Sequence, residues 1–423
     1  MKPHKYETLI IGGGPAGLAI ANALSFRGDN DFLLIDSGKP LTERDRLTPG
    51  GISSGLGGAG LFSDGKFSFF PSASKLWQLP DKESLDKAYQ WLTKLFAQYN
   101  RDVPPIDLNH TNYAIQASGS LKYYPSFYLE LDARYHLINH LTKEFQNNIQ
   151  LNTTLIDIIQ MDDGSYKIVT NGDPLFCNKI CWASGKMSPL LMQELSIHVA
   201  HQFQRTEVGV RIQGHYQHPF FDELLAEQNT LDPKYIFFDQ DAPVSWRTFC
   251  FCQRGEIVNS GTEEFVLYSG RSDCEPTDLS NIGFNTRIEG GLAGMQRLPK
   301  LPDSFTLCLK NLFAEPHSLE RYFPKEYAIY ITKGLHELAN RFPSLRENSD
   351  GIELIGPTIE GVGAYPIVDG QLKIPEHSIY VAGDAVGSFR GITAAMLSGY
   401  YIGRQITNHK YTPRRLDEYL QSA

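Results

Sequence analysis

What the chain has little of narrows the reading first. No stretch of about eighteen uninterrupted apolar residues occurs, so no membrane-spanning helix is expected. There is no run of like charge, no low-complexity tract and no short internal repeat. With 39 basic against 48 acidic residues, a net charge of −9, the chain has no electrostatic footprint for a polyanion, and a nucleic-acid partner is not expected. Six cysteines in 423 residues do not make a disulfide scaffold. Neither the Cys177/Cys181 nor the Cys250/Cys252 spacing, with His198 and His201 nearby, matches a metal site, so no metal is expected. Buried reduced thiols are expected instead, which suits the cytoplasm. Lys2 and Lys5 ahead of LIIGGGPAGLAIANAL superficially resemble a secretory leader, but the same residues have a sharper explanation. The length exceeds what one hydrophobic core supports, so two domains are expected.

Glycine, by contrast, is concentrated. SGLGGAGLFSDGK, from Ser54 to Lys66, holds five glycines and then crowds Ser63, Asp64 and Lys66 together. Glycine at that density is entropically costly and marks backbone that approaches something closely. Leu56, Leu61 and Phe62 interrupt it, so it is not a Gly/Ser linker.

The sharper explanation of the N-terminus is a nucleotide fingerprint. The apolar run TLII ends at Ile11, and Gly12, Gly14 and Gly17 then fit G-x-G-x-x-G, with Pro15 and Ala16 between them. LAIANALSFRG continues with helical periodicity, and a second run, FLLI, ends at Asp36, 19 residues past Gly17. Strand, glycine turn, helix, strand and acid form the first βαβ unit of a dinucleotide-binding fold. Gly12 makes the tight turn, Gly14 lets backbone reach a pyrophosphate, and Gly17 lets helix pack on strand. The helix N-terminus favours the negative charge there. Asp36 would accept hydrogen bonds from a ribose.

The far end of the chain resembles the C-terminal motif of flavoproteins. HSIYVAGDAVG (His377 to Gly387) is a short apolar run entering Gly383-Asp384, followed by RGITAAMLSGYYIGRQI, which suits a packed helix. The resemblance implies that Asp384 holds a ribityl chain and that Gly391 and Ile392 offer amides to the pyrimidine side of a flavin. Between the two ends, NIQLNTTLIDIIQ and SYKIVT read as paired strands, and NKICWASGK as a strand ending at Ala183-Ser184-Gly185. That order is similar to glutathione-reductase-type FAD oxidoreductases, with serine where threonine is usual. The resemblance implies non-covalent FAD held also by Ser37, Arg46 and Leu155, with Gly57, Gly58, Ala59 and Gly60 running beside the isoalloxazine. The glycine strip, RTFCFCQRGEIVNSG (Arg247 to Gly261) and GVGAYPIVD (Gly361 to Asp369) further resemble a bacterial family of uncharacterised FAD-dependent dehydrogenases. In that family the second stretch is a cysteine-containing strand pair and the third a late loop.

Flavin chemistry leaves the protein to position groups and handle protons. Lys66 and Asp64 are the candidates near the reactive edge: Lys66 as a proton or hydrogen-bond donor, or the two as an ion pair that pins the loop. Ser63 is read as a turn residue. Arg390 is a candidate for a substrate carboxylate, or for bridging loops around the cofactor. Tyr365, in a glycine-rich turn, is a fourth candidate, or a packed aromatic beside Pro366. Alternation puts Cys250 and Cys252 on one face, where core packing is favoured over a redox pair. No C-x4-C follows the first motif, which argues against a disulfide reductase. Gly290 to Gly294 is not a second dinucleotide fingerprint, leaving NAD(P)H only as a transient electron donor. The tryptophan-rich motif of flavin halogenases is absent, with four isolated tryptophans.

The expected architecture is α/β. A discontinuous Rossmann-like FAD-binding domain with a parallel sheet takes 1–70, 130–195 and 355–423, and an inserted β-rich α+β substrate domain takes 71–129 and 196–354. The expected activity is an FAD-dependent dehydrogenase or reductase moving a hydride between flavin N5 and a small organic substrate, with an external electron donor or acceptor. An FAD-dependent monooxygenase and a noncatalytic partner-binding relative are the alternatives.

Overall fold

The structure is a computed structural model that describes residues 4–407 apart from 49, 115–116, 227–231, 263–264, 291, 293–294, 296–297, 299 and 301–302. Part of the Gly290 to Gly294 stretch and the end of the expected nucleotide half, 408–423, therefore lie outside the described residues. The chain divides into two compact units, one of 1–113, 124–202 and 365–423, the other of 114–123 and 203–364.

The first unit grows from the N-terminal pattern. β1 (Lys5–Ile11) is buried from Thr8 onward, and α1 (Pro15–Phe26) begins with Pro15, whose fixed φ and missing N–H suit a first turn. β2 (Phe32–Ile35) is buried throughout, as a parallel strand covered on both faces requires. The glycine strip contains a short helix, α2 (Gly58–Phe62). After it come α3 (Lys82–Ala97), capped by Asp81 accepting from the Ser84 amide, and α4 (Leu131–Thr142). Four strands follow: β3 (Ile149–Gln150), β4 (Leu155–Gln160), β5 (Tyr166–Thr170) and β6 (Leu175–Trp182). β7 (Ile379–Val381) and α5 (Ile392–Ile406) close the unit.

The strands assemble in the order β3-β2-β1-β6-β5-β4, with β7 also on β6. β3, β2, β1, β6 and β7 run parallel, and β4, β5 and β6 form an antiparallel meander. β6 serves both arrangements because its start pairs with β5 and its end with β7. The fold is α/β and Rossmann-like, as the sequence indicates. α1 and α5 meet nearly backbone to backbone. A Cβ on Gly399 would lie 2.2 Å from the Ala16 carbonyl oxygen, and one on Gly403 would lie 2.6 Å from Ala23 Cβ.

The second unit is an antiparallel sheet in the order Phe305–Cys308, Ile352–Pro366, His201–His215, Leu279–Glu289, Val244–Cys252, Tyr235–Phe238 and Ser120–Leu121. Its apolar face, with Val208, Val210, Ile282, Phe284 and Trp246, packs on the helix Lys325–Arg341 through Ile331, Leu335 and Leu338. Gly334 lets that helix close on Trp246, since a Cβ there would lie 2.2 Å from the indole. The helix ends ahead of Pro343, as its sequence suggests.

Three expectations change. Residues 71–113, 124–129 and 196–202 group with the first unit rather than the second, and 355–364 with the second rather than the first. The reason for 71–113 is packing: Trp91 of α3 stacks on Tyr400 of α5, with centroids 4.5 Å apart. The strands of Arg247 to Gly261 do not pair with one another. Glu256–Asn259 pairs with Tyr268–Arg271 instead, after a register shift between Phe249 and Cys252 and a positive φ of 49° at Cys250. GVGAYP is the end of the long strand Ile352–Pro366, not a turn, and Gly361 lets it lie against Glu207. No described helix is long and apolar enough to cross a membrane.

Candidate functional site

Four stretches distant in sequence meet around Gly12 to Ala16, all within the first unit. Gly12, at φ +109°, lies against the end of β6, where a Cβ would fall 2.6 Å from the Ala183 carbonyl oxygen. Gly17 is as tightly held, because its Cβ would come within 1.9 Å of the Gly12 carbonyl oxygen. The glycine strip reaches the same turn: the Gly57 amide donates to the Gly13 carbonyl at 2.8 Å, and a Cβ on Gly58 would sit 2.7 Å from Gly14 Cα. Gly60 lies between Pro15 and Ile392, with a Cβ there 2.9 Å from the Pro15 ring and 3.7 Å from the Ile392 side chain. Gly383 completes the set, 3.2 Å from Ala16 Cβ by the same measure, with its amide donating to Ser398 Oγ at 2.9 Å. What the strip approaches, then, is the nucleotide turn itself. Ala59 is exposed on α2, Ser184 is exposed, and nothing lies within 4 Å of a Cβ on Gly185.

Asp36 ties these stretches together. One carboxylate oxygen accepts from the Gly13 amide at 2.7 Å, and the other accepts from the Gly38 and Gly55 amides at 2.8 Å each. The acid at the end of β2 thus staples the first glycine turn to the second, a task beyond the ribose contact expected of it. Ser37 beside it is exposed, and Leu155 is buried at the start of β4. That strand follows Thr153, whose amide donates to the Asp36 carbonyl at 2.9 Å.

Two arginines outside the expected set order the strip. Arg44, 7% exposed, donates through Nη1 to the carbonyls of Leu56 and Gly58 at 2.9 and 2.8 Å. Through Nη2 it donates to Gly51 and Ile52 at 2.8 and 3.1 Å. Burial pushes its pKa down to about 10, with Asp36 pulling the other way. Its guanidinium lies 4.9 Å from the Phe62 ring centroid, and that of Arg46, which the sequence favoured, lies 5.0 Å from it. Arg134 of α4, 2% exposed, donates to the carbonyls of Leu61 and Ser63 where the strip leaves α2. Arg44 lies ten residues ahead of the strip and had no local signal. Arg134 comes from a distant helix and had none.

The candidate chemical groups divide. Lys66 and Asp64 share a turn in which the Lys66 amide donates to Asp64 Oδ1 at 3.1 Å, and Lys66 Nζ lies 4.8 Å from the Tyr124 ring centroid. Ser63 serves the turn, donating to the Gly60 carbonyl at 2.9 Å and accepting from the Gly65 amide at 3.1 Å. Arg390 Nε pairs with Asp384 Oδ2 at 3.2 Å, just before α5. Tyr365 is 2% exposed, with its ring so close to Gly387 that a Cβ there would fall 2.4 Å from it. That is a packing position. In the second unit, the Cys250 and Cys252 sulfurs lie 3.9 Å apart with Cys252 fully buried. No described group of three or more His, Cys, Asp and Glu residues suits a metal ion.

The residues fit a dinucleotide cofactor. The N-termini of α1 and α5 both begin at a glycine, and neither has a side-chain cap, leaving first-turn amides for a ligand. A Cβ on Gly14 would meet only Gly58 Cα, at 3.7 Å, and one on Gly391 would meet nothing within 4 Å. Thr393, in the first turn of α5, is 2% exposed and its hydroxyl has no hydrogen-bond partner.

No protein-family model and no curated protein matches the chain. Solved structures do. A candidate FAD-containing monooxygenase from Photorhabdus luminescens subsp. laumondii TTO1 is 12% identical over 99% of this chain and 93% of that one, with a TM-score of 0.46. CtdE in complex with FAD is 10% identical over 94% and 83%, with a TM-score of 0.39. A salicylate hydroxylase substrate complex is 13% identical over 94% and 79%, with a TM-score of 0.40. Likenesses of this degree do not bear on activity.

Proposed function

We propose that the chain is an FAD-dependent oxidoreductase acting on a small organic substrate. The observation that carries the reading is the meeting of the Ala183, Gly57–Gly60, Gly383 and Ile392 stretches on the Gly12–Gly17 turn, beside two helix N-termini that no side chain caps. In this reading the amides at the start of α1, with Gly14, hold the pyrophosphate, and Asp36, with Ser37, Arg46 and Leu155, serves the adenosine end. Asp384 holds the ribityl chain, and Gly391 and Ile392 face the pyrimidine side of the ring. Ala183, Ser184 and Gly185 border the same site beside Gly12. FAD, when bound, supplies hydride transfer at N5.

The chain's own contribution is orientation and charge. The N-terminus of α5 stabilises negative charge near its first turn. Lys66 holds or donates a proton towards the reacting edge, with Asp64 fixing its turn, and Arg390 holds the Asp384 carboxylate in orientation. Dehydrogenase or reductase chemistry is the leading subclass, with NAD(P)H as a transient donor and monooxygenation as the second.

The test is direct. Purified protein should be yellow and release FAD on heating. Asp384→Ala should strip or weaken FAD, while Lys66→Ala should keep it and slow turnover. Colourless protein that gains no thermal stability from added FAD overturns the reading. Anaerobic mixing with NAD(P)H and candidate metabolites, followed by oxygen, separates the subclasses by whether bleaching requires the substrate and whether oxygen enters the product.

A further inference from the structure

The second unit carries a different kind of site. Strand alternation and register put Arg205 and Glu207, Arg287 and Asn285, and Arg247 on one face of its sheet, opposite the apolar face that the helix covers. Glu207 lies across from Arg287, and Asn285 lies between Gly209 and Arg247. Ile236 pairs with Arg247, so Lys234, two residues earlier, shares that face. Lys122 adjoins it, its amide donating to the Lys234 carbonyl at 2.8 Å.

We propose that this face binds the oxyanion of a small molecule, a carboxylate or a phosphate, with Arg247, Arg287, Lys122 and Lys234 as its receptors. Among the described residues, five cations (Arg205, Arg247, Arg287, Lys122 and Lys234) stand there against the carboxylates of Glu207, Glu289 and Asp232. Glu207 is 3% exposed and already accepts from Arg205 Nε at 3.3 Å and from Arg247, while Glu289, half exposed at the rim, pairs with Arg287. The excess is felt within the cluster. Burial, then Arg247 and Lys122, push the Lys234 pKa down to about 7, and burial with Arg247 and Arg287 push that of Lys122 to about 8. Like charges gathered in a half-buried place are unfavourable until an anion joins them.

The hydrogen bonding says the same independently. Arg247 Nε, Arg287 Nε and Asn285 Nδ2 are buried donors with no partner, and Asn285 is fully buried with its oxygen taken by the Thr358 hydroxyl at 2.5 Å. An oxyanion between the two guanidiniums supplies acceptors to these donors and charge to the lysines, in the forked geometry that arginine favours. The side chains of Arg247 and Arg287 are 16% and 25% exposed, an opening for a small group rather than for a broad surface. The chain's net charge of −9 also disfavours a polyanion. The inference stands whether or not a flavin is bound.

Isothermal titration of the purified chain saturated with FAD, at constant ionic strength, tests it with inorganic phosphate in one arm and succinate in the other. Saturable binding in either arm, weakened at least tenfold in both Lys234→Met and Arg287→Met and unchanged in the surface control Lys310→Met, supports the site. The stronger arm identifies the source of the oxyanion. Circular dichroism and an unchanged cooperative melt show that the variants fold, and Lys234→Met, which breaks no ion pair with Glu207 or Glu289, carries the test should Arg287→Met fail. No saturable binding of either anion, or binding equal in wild type and Lys234→Met, overturns the proposal.

Discussion

The two units make sites from opposite materials. In the first, the groups that face the Gly12–Gly17 turn are backbone: amides, carbonyls and glycine α-carbons, with Asp36 and Arg44 spent on holding that backbone in place. In the second, the polar sheet face is side chains, five of them cationic, on strands paired through the ladder or at the strand ends beside it. A backbone site is set by shape and tolerates little added volume. A side-chain site is set by charge and tolerates substitution, but it responds to pH and to ions. The contrast can be broken at either end.

The largest effect is expected from Gly17→Val in the first unit. Even one carbon at this position falls 1.9 Å from a backbone oxygen that cannot move without opening the β1–α1 turn. Overpacking of that kind typically costs about 1–3 kcal/mol, and a clash with backbone lies at the upper end. The variant should lose FAD retention altogether and melt several degrees lower, while a titration with phosphate or succinate still reports the second unit's face. Retention of FAD by Gly17→Val would mean that the turn is not where the nucleotide binds.

Arg44→Met should come next. It keeps the apolar stem against Phe62 but withdraws the donors from four carbonyls between Gly51 and Gly58. Leaving buried acceptors unserved costs about 1–3 kcal/mol. The expected result is an FAD affinity at least about tenfold weaker and faster proteolysis within residues 44–58. Arg44→Lys should recover little, because one ammonium cannot fork to four carbonyls. Wild-type affinity in Arg44→Met would show that Asp36 alone holds the strip.

How much of this was legible in the sequence follows from the same contrast. The nucleotide turn was readable because backbone sites need glycine at fixed local spacing, and Gly12, Gly14 and Gly17 fall within six residues of one another. The strands TLII and FLLI were readable as apolar runs, and NKICW as a strand leading to Ala183-Ser184-Gly185. That Gly57 and Gly58 would lie on Gly13 and Gly14 was not, since only packing brings two glycine clusters together; local density showed that something came close, not what. The role of Arg44 was hidden because its four carbonyl acceptors, between Gly51 and Gly58, are brought to it only by the folding of the loop. The cationic face left no local trace at all. Lys122, Lys234, Arg247 and Arg287 come from four separate strand regions and become neighbours only through cross-strand register. The domain boundary was misjudged for a related reason: α3 reads as an ordinary amphipathic helix, and nothing in it names Tyr400 as its partner.

The smallest expected effect is a pH dependence, and it belongs to the second unit. Lys234 faces Arg247 and Lys122 with Glu207 and Asp232 in opposition, and Lys122 faces Arg247 and Arg287. Burial and these cations lower both ammonium groups from an ordinary 10.5, to about 7 for Lys234 and about 8 for Lys122. Between those values and 10.5 the unfolded chain binds more protons at these two positions than the folded chain does. Unfolding therefore takes up protons, and the lysines' contribution makes stability rise with pH through that window; below about 7 both states are charged and the slope levels off. Partial exposure screens the cluster and keeps the effect modest. Melting temperatures from pH 6.5 to 9.5, taken for wild type and Lys234→Met, isolate it by difference: the wild-type curve should climb more steeply, and a bound oxyanion should flatten it. Parallel curves would mean that counter-charges within the fold already balance a fully protonated Lys234, and the second unit would then be as indifferent to charge as the first.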